Sequence, residues 1–123
     1  MLNGSNLAYV GDAYFELRVR IHLLEKGITR NAQLRKISIK YVSAWAHQHI
    51  FENLKQYLTT DEMQYFLRGR NNVPHGYRKN VDHTAYIVST GFEAVIGYLY
   101  LKGEKERLDE LIEMIFSIVE SGE

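Results

Sequence analysis

The sequence has no cysteine and a single proline, Pro74. It also has no uninterrupted apolar run near the ~20 residues that span a bilayer. Without cysteine there is no disulfide framework and no thiolate metal site, which suits a reducing compartment. The opening residues, MLNGSNLAYVGD, lack the basic and apolar segments of a secretion signal. No glycine-rich phosphate cradle of the Walker or dinucleotide type is present. These absences predict a soluble, cytoplasmic chain. With 123 residues and 46% hydrophobic content, a single folded domain over 1–123 is expected, too short for a catalytic domain with an appended binding module.

What the chain does have is charge sorted by segment. The formal net charge is zero, yet Lys26, Arg30, Arg35, Lys36 and Lys40 share the stretch up to Phe51 with no acid. Arg68, Arg70, Arg78 and Lys79 form a second acid-free stretch, and acids dominate from Gly103 onward. Separated charge of this kind lets a neutral protein hold a polyanion on one face. Helix surfaces that differ by chance give the same pattern.

Apolar residues recur at helical spacing and strand signals are few, so the fold class is all-α. Helix 1 is expected over 5–26, stopped by Gly27. Thr29 and Asn31 suit caps for a short helix leading into a longer one over 38–56. Thr59 and Glu62 have capping-box spacing. The stretch GRNNVPHGYRKN, 69–80, reads as a loop, with helices following over 82–101 and 104–120. In the last, Leu108, Leu111, Ile112, Ile115, Phe116 and Val119 make one stripe.

Helix 1 and the 82–101 helix are apolar nearly all round, which predicts burial, one of them in a subunit contact. Both join glycine to acid, in VGDAYFE and TGFEAVIG. Small residues let helices approach closely, so Asp12, Glu16 and Glu93 are expected to face inward together. Carboxylates without cysteine or a metal-spaced histidine pair suit a hard cation such as magnesium, with manganese as a substitute. Pairing of Asp12 and Glu16 with Arg18, Arg20 or a partner chain is the competing explanation.

The arginine loop combines cations, amides and a hydroxyl. Arg68, Arg70, Arg78 and Lys79 can hold phosphates, and Asn71, Asn72 and Tyr77 can reach 2′-hydroxyls. An ordinary surface loop has the same composition. His22, His47, His49, His75 and His83 show no catalytic or metal-binding spacing. Trp45 and the tyrosines are expected in the core rather than as platforms for bases.

Three pieces carry a resemblance: LAYVGDAYFE, YLTTDEMQYFLRGRN and STGFEAVIGYLYL. In this order they resemble the signature helix, the central helix with its arginine loop, and the second acidic helix of the ribonuclease III catalytic domain. The chain is most similar to the short Mini-III branch, which has no double-stranded-RNA-binding domain. The resemblance implies an all-α homodimer that cleaves both strands of double-stranded RNA with magnesium, leaving 5′-phosphate and 3′-hydroxyl ends. It implies Asp12 and Glu93 as metal-binding and catalytic acids; Glu16, four residues from Asp12 on the same helix face, and Thr90, three before Glu93, are candidates to support them.

The same resemblance implies trimming of 23S ribosomal RNA precursor, with ribosomal proteins as helpers. The chain departs from the full family pattern at Ala8 and Thr90, where carboxylates are usual, and another carboxylate position falls near Trp45. The site is thus poorer in acids, which supports one tightly held ion more readily than two. A catalytically idle RNA-binding or ribosome-associated scaffold is the alternative that these losses favour.

Overall fold

The computed structural model describes residues 2–72 and 82–122. Six α-helices are described: α1 (Gly4–Glu25), α2 (Asn31–Val42), α3 (Ala44–Leu54), α4 (Thr60–Asn71), α5 (His83–Lys102) and α6 (Lys105–Glu120). No strand occurs among the described residues. Local chemistry sets most boundaries. Asn3 and Asn6 form a reciprocal capping box that opens α1. Past its end, Gly27 takes φ 87° and the Ile28 N–H reaches back 3.1 Å to the Leu23 carbonyl, as a left-handed helix stop requires.

Between α1 and α4 the chain differs from the expected single helix over 38–56. α2 starts directly after Arg30, which makes no side-chain cap, so neither Thr29 nor Asn31 caps it. Ser43 then turns extended, with ψ 158°, and its Oγ accepts from the Ala46 N–H at 3.2 Å to open α3. A serine that can bond the backbone ahead of it competes with helix continuation, and here it divides the segment. A single 3₁₀ turn, Lys55–Tyr57, follows α3.

The capping box of Thr59 and Glu62 opens α4 as its spacing predicts. Glu62 is buried, and the Arg107 guanidinium donates to both its oxygens at 2.9 Å, tying the starts of α4 and α6 together. α4 runs on to Asn71, so the first residues of the expected loop, Gly69 among them, are helical. From residue 73 on, that stretch, including Tyr77, Arg78 and Lys79, lies outside the described residues.

α5 is the hub, packing against α1, α3, α4 and α6. Phe15, Val19, Ile50, Phe92, Ile96, Leu111, Ile112 and Ile115 fill the main core. The rest of the stripe predicted on α6 joins them, with Leu108 and Phe116 buried and Val119 partly so. One expectation fails: Trp45 is 61% exposed at the start of α3 rather than in the core. Within one chain α1 is not buried all round, since Tyr9, Leu17, Ile21 and Leu24 stand exposed on its outer side.

Candidate active site

The site begins with glycines. A Cβ added to Gly11 would stand 1.8 Å from the Glu93 carbonyl oxygen, and one on Gly97 would stand 1.9 Å from that of Leu7. α1 and α5 therefore cross backbone against backbone, as only glycine permits. Gly4 does the same against Arg68, where a Cβ would be 2.3 Å from the carbonyl oxygen, so α1 also touches the end of α4. Gly69 fits between Ala94 and the Thr90 carbonyl of α5. Its sequence context suggests a turn; its use is close helix contact.

This crossing brings together Asp12 and Glu93, the two acids that the family resemblance points to. Asp12 and Glu93 lie within hydrogen-bonding reach of each other. The geometry corrects the expectation of an inward-facing Asp12: that side chain is exposed, while Glu93 is half-buried. Gly11 occupies the inward position against α5, and the next residue, about 100° further round the helix, must open toward solvent. Burial, then the neighbouring Asp12 carboxylate, then the charge of Glu16 hold the Glu93 carboxyl well above the usual carboxylate range.

Among the described residues no cation forms an ion pair with either acid. Arg18 pairs instead with Asp109 at 2.8 Å, and Arg20 reaches Glu16 at 3.5 Å. The competing explanation thus holds for Glu16 through Arg20, while among the described residues neither Arg18 nor Arg20 pairs with Asp12. Ala8 is buried against Leu7 and Ala94, and the Thr90 hydroxyl donates to the Tyr86 carbonyl at 3.0 Å. No group of three or more His, Cys, Asp or Glu side chains is gathered for a metal among the described residues. The donor set is two adjoining carboxylates open to solvent on one side. It fits a hard divalent cation that keeps most of its own waters and relieves the repulsion between the acids.

His47 is beside this site but belongs to the core. It is 1% exposed, its Nδ1 is 2.7 Å from Ser89 Oγ, and it packs on Phe15 and Phe92. Burial pushes its imidazole down to about 4, against weaker opposing pulls from Asp12 and the Tyr41 backbone. It is neutral at physiological pH.

Arg68, Arg70, Asn71 and Asn72 are exposed at the end of α4. Arg70 Nε donates to Asn71 Oδ1 at 3.3 Å, and the Arg68 guanidinium sits over the Tyr65 ring, 5.0 Å from its centroid. The other basic stretch lies mostly along α2, where Arg35, Lys36 and Lys40 are exposed and make no ion pair among the described residues. Lys26 is held at 2.9 Å by Glu120.

A helical domain with paired acids at a glycine crossing, beside an arginine-bearing helix end, has the parts of a nuclease domain. The ribonuclease III domain matches residues 5–104, and the chain belongs to that family. It is an endoribonuclease of the ribonuclease III type. Among particular proteins, it is 44% identical to the Mini-ribonuclease 3 of Symbiobacterium thermophilum, over 95% of this chain and 90% of that one. It is also 44% identical to the Mini-ribonuclease 3 of Enterococcus faecalis, over 90% and 86%. The Streptococcus pneumoniae protein of that name is 40% identical over 98% and 95%. A crystal structure of a protein from Fusobacterium nucleatum superposes with a TM-score of 0.83 at 25% identity, covering 94% of this chain and 92% of that one.

Proposed function

We propose that this endoribonuclease is a magnesium-dependent homodimer that cleaves double-stranded RNA in the cytoplasm and trims the ends of 23S ribosomal RNA precursor. The observation that carries the reading is the adjoining acid couple of Asp12 and Glu93, with which no cation pairs among the described residues. These two residues would hold the magnesium ion, or manganese in its place. When bound, the cation neutralises charge at the scissile phosphate and acidifies water for hydrolysis, giving 5′-phosphate and 3′-hydroxyl ends. Glu93 must release its proton to serve as a ligand, which links metal affinity to pH. Asp12, exposed at the rim, is the acid that meets solvent and substrate first.

Arg68 and Arg70 supply phosphate contacts, joined by Arg78 and Lys79 further along the chain. Asn71, Asn72 and Tyr77 supply contacts to 2′-hydroxyls, which distinguish RNA from DNA. The outer side of α1 supports a dimer: Leu17, Ile21 and Leu24 are 54%, 43% and 53% exposed on one helix. A two-fold pairing there doubles every site, one for each strand of a duplex.

The test is a magnesium titration with a defined RNA duplex. Cleavage that rises with magnesium and stops on chelation supports the reading. Tight duplex binding without cleavage at any magnesium concentration would instead support an idle scaffold, the reading that Ala8 and Thr90 favour.

A further inference from the structure

On the face of α4 and α5, two tyrosines lie one on the other. The Tyr65 and Tyr98 rings are 3.7 Å apart between centroids and only 12° from parallel. Both are partly buried and rest on Leu7, Ala8 and Ala94, the small cluster that fills the crossing of α1, α4 and α5. Each ring also carries a cation. The Arg68 guanidinium is 5.0 Å from the Tyr65 centroid. Lys102 Nζ is 5.3 Å from that of Tyr98 and donates to its hydroxyl at 2.9 Å.

Arg68 is otherwise unheld. It is exposed, and among the described residues no carboxylate pairs with it. An arginine free in solvent samples many rotamers and must give up that freedom when it grips a phosphate. Here the opposite is arranged at both ends of the residue. Its backbone is pinned where Gly4 of α1 meets the Arg68 carbonyl, and its guanidinium lies over a ring that is itself restrained. Tyr65 is restrained because Tyr98 stacks on it and both rings pack against Leu7, Ala8 and Ala94. A guanidinium held over an aromatic face still has N–H groups to offer to phosphate oxygens.

We infer that Tyr65 and Tyr98 are positioning residues that hold Arg68 ready for an RNA phosphate. The inference rests on the RNA-cleaving function proposed above and assigns to the stack a role in binding, not in the chemical step. Pre-ordering a contact raises affinity without adding a contact. An exposed cation–π perch corresponds to a change of about two- to fivefold in an equilibrium constant.

The experiment measures binding of the full chain to an RNA duplex in calcium, which suppresses cleavage, at several salt concentrations. Tyr65→Leu is expected to weaken binding by about two- to fivefold, and Tyr65→Phe to bind like wild type. In an Arg68→Ala background, Tyr65→Leu should cause no further loss. Tyr98→Leu, which leaves Tyr65 and Arg68 in contact, should give a smaller loss, and thermal melting confirms that each variant is folded. Equal weakening by Tyr65→Leu with and without Arg68 overturns the inference, because the ring would then act on the fold alone. So does Tyr65→Phe binding as weakly as Tyr65→Leu. If Arg68→Ala binds like wild type, this inference fails while the functional reading stands. If the wild type binds no duplex at all, the functional reading itself fails.

Discussion

Gly11 rests directly on the carbonyl of Glu93, at the crossing that brings the two acids of the site together. A methyl group at Gly11 would stand 1.8 Å from that oxygen, so Gly11→Ala must push α1 off α5. The expected loss is about 3 kcal/mol or more, seen as a large fall in melting temperature. Gly27→Ala is the comparison, since nothing lies within 4 Å of its added methyl and only its φ of 87° is strained. That variant should lose about 1 kcal/mol. A Gly11→Ala protein that melts with the Gly27→Ala one would mean that the crossing yields.

Asp12→Asn and Glu93→Gln keep side-chain shape and remove the charges proposed to hold magnesium. Each should remain folded and bind duplex RNA, with cleavage reduced by about 100-fold or more. Glu93→Gln should melt close to wild type without metal, because burial and the neighbouring Asp12 already keep the carboxyl it replaces protonated. Single-turnover cleavage and a melting curve in chelator check the two halves. Near-normal cleavage by either variant would move the metal centre elsewhere.

Leu17 and Leu24 expose more than half their surface on the outer side of α1. In the proposed dimer this is a buried contact, so Leu17→Glu places a charge in it. Light scattering should show the wild type at twice the chain mass at micromolar concentration and Leu17→Glu at one chain mass. Cleavage of both strands in one encounter should disappear with the dimer. A monomeric wild type would count against two sites sharing one duplex.

Glu120 ties the end of α6 to α1 and α2. It accepts from the Tyr41 hydroxyl at 2.7 Å and pairs with Lys26 and His22 at 2.9 and 2.5 Å. Burial alone would raise its carboxyl, but the bonds from His22, Lys26 and Tyr41 outweigh that and hold it at about 2. A group bound more tightly as an anion in the folded state stabilises above its unfolded value, here ~4.3, and that contribution is lost as pH falls toward the folded value. Glu120→Gln should therefore be less stable at pH ~6 by on the order of 1 kcal/mol, reduced by partial exposure. Denaturant curves should show the gap to wild type closing between pH ~4.3 and ~2. A gap that persists at the lowest pH would mean that packing, not charge, holds this corner.

Features that depend on neighbours along the chain are legible in the amino-acid sequence itself. The Thr59–Glu62 capping box, the stop at Gly27 and the apolar stripe of α6 each need only a few consecutive residues and the geometry of one helix. The pairing of VGDAYFE with TGFEAVIG is legible too, because glycine next to acid on two apolar helices marks a close approach. That pattern singles out Asp12, Glu16 and Glu93, and family resemblance narrows these to Asp12 and Glu93.

Which way those side chains face depends on the partner helix. Gly11 takes the inward position and turns Asp12 to solvent, although α1 by itself looks apolar on every side. Trp45 is a surface residue because Ser43 ends one helix and starts another just before it. The stack of Tyr65 on Tyr98 joins residues 33 positions apart, and no local pattern relates them. Periodicity and caps are properties of one segment, so the sequence by itself determined the helices and the candidate acids. Burial, ring stacking and the distance between two carboxylates are properties of the space between segments, so only the packed helices could decide them.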